Sequence, residues 1–138
     1  MNFIAAMLLL HLRDERLAYL CFLYIMFEHN WRLLYTSNMQ LLYSLIDQLT
    51  MRLKEEVPRV YKHFKGGDMS VMGMFSHVFL TAFVYRTPLE FSVRVFDIFL
   101  LDKEEALIST LVKIIKLMQE RILEYQSVVL YSVSVGCV

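Results

Sequence analysis

The runs Phe79-Leu80-Thr81-Ala82-Phe83, Thr87-Pro88-Leu89 and Arg94-Val95-Phe96-Asp97-Ile98-Phe99-Leu100 stand in that order within a chain of 138 residues. The first run closes a stretch crowded with Met and Phe, and the spacing predicts a helix over about Met69–Tyr85. Proline lacks an N–H and has its φ fixed near about −65°, which suits the first turn of a helix and not its interior. Thr87-Pro88 therefore reads as a cap followed by a helix start, and the next helix spans about Pro88–Leu101. Arg94 and Asp97, three positions apart, lie on one face of that helix, close enough to pair.

Outward from this stretch the apolar positions recur at helical spacing, interrupted by short polar breaks. Toward the C-terminus, Asp102 reads as the cap of the last and longest helix, about Lys103–Tyr125. Its stripe is Leu107, Leu111, Ile114, Ile115, Met118 and Ile122, and Lys116 pairs with Glu120 on the outer face. The tail Val128–Val138 alternates Ser and Val and leaves an edge strand, an unstructured end or a misplaced gene boundary open. Toward the N-terminus, Gly66-Gly67-Asp68 is the clearest loop, and Pro58 starts a short helix through Phe64. Before it, Ser37 or Asn38 caps an amphipathic helix. Leu41, Leu42, Leu45, Ile46, Leu49 and Leu53 face one way on it, and Gln40, Ser44, Asp47, Gln48 and Arg52 the other.

Asn30–Asn38 reads as a connection anchored by Trp31. Asp14 caps a helix from Glu15 to about His29 that turns Leu17, Leu20, Leu23, Tyr24 and Phe27 inward. The opening segment Asn2–Leu12 is apolar on every side, as expected of a helix enclosed by neighbours. The sum is an all-α array of about seven helices with short connections and no internal repeat.

Composition narrows the function classes. The hydrophobic fraction is 57% and the mean hydropathy +0.47, where soluble domains average nearer half apolar. Such a chain is either a membrane protein or a part of a larger helical core. Crossing a bilayer takes about 20 consecutive apolar residues. Arg13 and Asp14 end the first run, Glu28 and His29 end the second, and no basic region or cleavage site marks a signal peptide. Direct membrane insertion is therefore not expected. Fourteen basic and fourteen acidic residues cancel, so the electrostatic footprint of a nucleic-acid binder is missing. Cys21 and Cys137 have no metal or redox spacing and suit a reducing, cytoplasmic setting.

Catalytic and cofactor motifs are missing too. Gly66-Gly67 lacks the Lys-Ser/Thr of a phosphate loop. His11, His29, His63 and His77 show no metal-binding spacing, so neither a metal nor a cofactor is expected. No G-x-S-x-G elbow occurs. Met69, Met72 and Met74 read as adaptable core. The residues alone lead to an apolar helical bundle.

A resemblance leads further. Met1-Asn2-Phe3-Ile4-Ala5-Ala6-Met7-Leu8-Leu9-Leu10 resembles the segment that follows the Y-x-Q-G loop of a TBC domain, and Asp14-Glu15 with Ala18-Tyr19 resembles that family's next feature. Val57-Pro58-Arg59-Val60 with His63-Phe64 is similar to its P-x-L…H-F segment. The three runs quoted at the outset are similar to its W-F-L-T-x-F…F-P-L…R-I-W-D-x-F-L signature, in order and spacing. Val78 and Phe96 replace its tryptophans, and Lys103 or a neighbour replaces the glycine after the signature. These are packing changes that mark a divergent member.

The resemblance covers the chain to about Tyr125 and implies the C-terminal half of an all-helical module that activates Rab GTPases in vesicle trafficking. It implies a GTP-bound Rab partner, no enzyme activity of the chain itself, and a cytoplasmic protein recruited to endomembranes through the Rab. The family inserts an arginine and a glutamine into the Rab, and an arginine supplied in trans is worth roughly 10³–10⁵ in rate. The arginine motif I-x-x-D-x-x-R does not occur in this sequence. Both fingers are expected upstream of Met1, and the chain alone is expected to be inactive. Asn2, which follows the expected glutamine loop, and Arg94 with Asp97 are the candidates for contact with the Rab or with the catalytic half. An ion pair that orders the fold is the plainer role for Arg94 and Asp97. Two alternatives are a non-catalytic helical scaffold that binds a Rab or another protein, and a small membrane-associated helical protein. A half-domain leaves an apolar face uncovered, so self-association through that face is also expected.

Overall fold

The computed structural model describes residues 1–67, 70–85 and 87–124, so the Val128–Val138 tail lies outside the described residues. Those residues form α1 (Asn2–Leu12), α2 (Glu15–Phe27), a 3₁₀ turn (Trp31–Leu34), α3 (Gln40–Glu56), α4 (Pro58–Gly66), α5 (Val71–Thr81), α6 (Leu89–Asp102), α7 (Glu104–Leu117) and α8 (Gln119–Glu124). The all-α expectation holds among them. α3 is the hub, packed against the 3₁₀ turn, α4, α5 and α7, while α1 and α2 form a hairpin beside it. Leu42, Leu45, Ile46, Leu49 and Leu53 of α3 are buried, as its stripe requires.

Local chemistry sets most boundaries. The Asp14 carboxylate accepts a hydrogen bond from the Leu17 N–H at 2.9 Å, satisfying one of the donors that a helix start leaves unpaired. Pro58 occupies the first turn of α4, and Ser70 caps α5 by accepting from the Gly73 N–H at 3.4 Å. α5 ends where Ala82 and Phe83 both take positive φ, at 47° and 68°. The Phe83 N–H then donates back to the Val78 carbonyl at 3.1 Å. Thr87 does not cap α6 as the sequence predicts: Pro88 stands at the helix start with no side-chain cap, and the Thr87 hydroxyl instead donates to the Phe83 carbonyl at 2.6 Å and meets the Ser92 hydroxyl.

Several expectations are corrected. α3 has no side-chain cap from Ser37 or Asn38; Met39 stands at its start with φ 43°. Asp102 is the last residue of α6, and Lys103 makes the α6–α7 corner at φ 55°, ψ −137°. No Cβ-bearing residue adopts that region cheaply, and it is where the resemblance wants glycine. The last helix breaks at Met118, so Lys116 and Glu120 do not pair. Lys116 instead reaches Glu56, and Glu120 reaches Arg59, each at 3.8 Å. α2 stops at Phe27, and His29 turns into the core.

The largest correction concerns which side of α2 is buried. Ala18, Ile25 and Met26 face inward, whereas Leu17, Leu20, Tyr24 and Phe27 are each about half exposed. No charged residue stands between Leu17 and Phe27, so periodicity marks no polar side, and the small Ala18 permits the close approach. α1 is likewise covered on one side only. Ile4, Met7 and Leu8 are buried, and Phe3, Leu9 and Leu10 are exposed.

Candidate functional site

α1 is fastened at two points, to the segment before α6 and to α6 itself. The rings of Phe3 and Tyr85 meet edge to face, centroids 5.7 Å apart, and His11 Nε2 lies 3.4 Å from the Asp97 carboxylate. Asp97 is thus joined to α1 and not to Arg94, its neighbour on the same helix. Arg94 is exposed and makes no ion pair among the described residues. Asn2 sits in the first turn of α1, at the end away from His11. At 1.5 Å rise per residue it lies roughly 13 Å of helix from His11. The structure thus brings Arg94 and Asp97 onto one surface of α6 and leaves Asn2 apart.

Behind this surface the aromatic side of α6 is buried. Phe99 is flanked by Trp31 at 4.8 Å and His29 at 5.9 Å, both edge to face, and Phe96 stands 5.7 Å away. Trp31 fulfils its expected anchoring role at 0% exposure. Neither Trp31 Nε1 nor His29 Nδ1, both buried, has a hydrogen-bond partner among the described residues. The His29 imidazole is held below its ordinary pKa, first by loss of solvent and then by the Lys103 charge, with Glu104 and Glu28 opposing. The Tyr35 hydroxyl donates to the Leu80 carbonyl at 2.8 Å and ties the 3₁₀ segment to α5. Burial pushes its pKa up to about 12.

Two further features escape a reading by stripes. Arg52, assigned to an outer face, clamps α3 to α7: its guanidinium lies 3.1 Å from Glu105, 3.3 Å from Ser109 and 3.3 Å from Glu56. The i,i+4 spacings of Arg52 with Glu56 and of Glu105 with Ser109 are the signal that was there to find. The second is a groove of about 300 Å³ between α1 and α2, lined by Ala5, Leu9, Glu15, Ala18, Tyr19 and Phe22. Among the described residues no cluster could hold a metal ion, and no helix is long and apolar enough to cross a membrane.

The family model of the Rab-GTPase-TBC domain matches residues 1–123, and the chain belongs to that family. It is 28% identical over 126 residues to TBC1 domain family member 4 of Mus musculus, covering 91% of the chain and 10% of that protein. To GTPase activating protein Gyp51 of Schizosaccharomyces pombe it is 30% identical over 101 residues, 73% of the chain and 10% of that protein. To GTPase-activating protein GYP5 of Saccharomyces cerevisiae it is 32% identical over 108 residues, 78% of the chain and 12% of that protein. The chain therefore spans about a tenth of the length of these relatives. No solved structure matches it.

Proposed function

We propose that residues 1–124 supply the C-terminal helical part of a protein that stimulates GTP hydrolysis by a Rab-family GTPase in vesicle trafficking. The observation that carries this is the family match over residues 1–123, joined by relatives named as GTPase activators. In this reading the chemistry comes from an arginine that neutralises charge on the transferring phosphoryl and a glutamine that orients water. Neither I-x-x-D-x-x-R nor Y-x-Q-G occurs in residues 1–138, so both fingers come from a segment outside this sequence. Arg94, exposed on α6, is the contact residue for the GTP-bound Rab or the finger-bearing half, with Asp97 and Asn2 in supporting positions. The protein works in the cytoplasm and reaches endomembranes through its Rab.

Single-turnover phosphate release from a panel of GTP-loaded Rabs tests the proposal. The 138-residue chain alone is expected to leave the basal rate unchanged. Joined to a segment carrying both motifs, it is expected to raise the rate by about 10³ or more for at least one Rab. A joined protein that activates none of them overturns the reading.

A further inference from the structure

α4 carries its charges on one side. Val60 and Phe64 point into the core, and Lys62, two positions from each, stands on the opposite side of the helix. Arg59 and Lys65 lie three positions to either side of Lys62, a spacing that keeps all three on one face. All three are exposed, and residues 57–67 contain no acidic residue. Lys54, near the end of α3, joins them, its Nζ lying 5.2 Å from the centre of the Tyr61 ring. Fourteen basic and fourteen acidic residues cancel over the whole chain, so the positive charge is segregated here. We propose that this face of α4 docks on the anionic surface of a membrane, as a peripheral contact without insertion.

The acids nearby leave the face positive. Glu56 lies 3.3 Å from Arg52 and 3.8 Å from Lys116. Glu55 lines the cleft between α3 and α7 with Arg52 and Glu105. Glu120 takes Arg59, at 3.8 Å, while Lys54, Lys62 and Lys65 make no ion pair among the described residues.

Side-chain chemistry selects a flat, diffuse anionic partner over a folded acidic site. Lysine is a flexible, strongly hydrated point charge that needs no fixed geometry, whereas arginine supplies the paired hydrogen bonds that recognise single carboxylates. The face holds three lysines, and its one arginine is already engaged. Pro58 and Gly66, four positions to either side of Lys62, complete the same arc. Both are exposed, and the space around Gly66 is open, so nothing bulky holds the cations off a plane. The cytoplasmic leaflet carries negative charge, and each lysine close to it raises partitioning about fivefold, three of them roughly a hundredfold. The contact acts beside the Rab contact proposed above and does not depend on it.

Co-sedimentation of the full chain with vesicles tests this. Phosphatidylcholine vesicles containing about a third phosphatidylserine are expected to bind at least about tenfold more chain than phosphatidylcholine alone. The excess should vanish near about 1 M salt, where the screening length falls to about 3 Å. Lys62→Glu with Lys65→Glu should abolish it with helicity unchanged, since both side chains are exposed. If that pair fails to fold, Lys62→Gln with Lys65→Gln serves in its place. Arg13→Glu with Arg16→Glu, the same charge change at the α1–α2 corner, should leave most of the excess in place. Equal binding to neutral and charged vesicles overturns the proposal, and so does equal loss in the two glutamate variants. Charged vesicles that bind nothing also overturn it, and polyglutamate binding in that case points to an acidic protein instead.

Discussion

Lys103 holds φ 55° and ψ −137° at the corner between α6 and α7, a conformation that costs a Cβ-bearing residue about 1–3 kcal/mol. Lys103→Gly should therefore stabilise the chain by about 1 kcal/mol, less than the full strain because glycine loses more freedom on folding. The urea midpoint should rise with the m-value unchanged. His29, packed between Tyr24 and Phe99, carries the opposite kind of strain. Its folded pKa lies below the ordinary 6.5, so the unfolded chain takes up a proton first as pH falls. Stability is full above about 6.5 and declines as pH drops through that value toward the folded pKa. Urea midpoints followed from about pH 7.5 to 5.5 should show the decline, and His29→Phe should flatten it. Periodicity marks neither residue, and only the resemblance, which wants glycine at or beside Lys103, points to the first. Backbone strain leaves no mark on a side-chain pattern, and His29 reads simply as the polar end of an apolar run.

Among the elements, α3 and α7 are the most legible. Their apolar stripes fall where periodicity places them, because each helix has one polar side that must face water. Asp14, Pro58 and Trp31 were legible for local reasons: a carboxylate able to cap, a ring that fits a first turn, and an indole too large to leave outside. α2 was not, since its central residues offer no polar side to set its rotation. The site was half legible. Arg94 and Asp97 share a face as their spacing requires, but the His11–Asp97 contact joins residues far apart in sequence, and no local pattern predicts it. Phe99 is the keystone of α6, at 0% exposure between Trp31 and Phe96. Phe99→Ala should cost about 3–5 kcal/mol, read as a fall in thermal and urea midpoints. Breaking the Arg52–Glu105 clamp should cost much less, about 0.5 kcal/mol in a double-mutant cycle, because both side chains reach solvent, at 38% and 55% exposure.

For the molecule as a whole, the uncovered sides of α1 and α2 are where the apolar surface is least hidden. The hydropathy of the sequence foreshadowed such a surface, since 57% apolar residues exceed what one small core hides. Where that surface lies becomes readable only once α2 is turned by its packing against α1 and the 3₁₀ turn.

Trp31 gives the molecule a built-in optical probe, for it is the sole tryptophan in the chain. Its indole is shielded from water, rests against Phe99 and has no hydrogen-bond partner for Nε1 among the described residues. Emission from such an indole is shifted to short wavelength. Because the ring sits where the segment after α2 meets α3 and α6, a red shift would report the opening of that junction. The native protein can therefore be followed by its own fluorescence, without a label, as the pH falls or a partner binds.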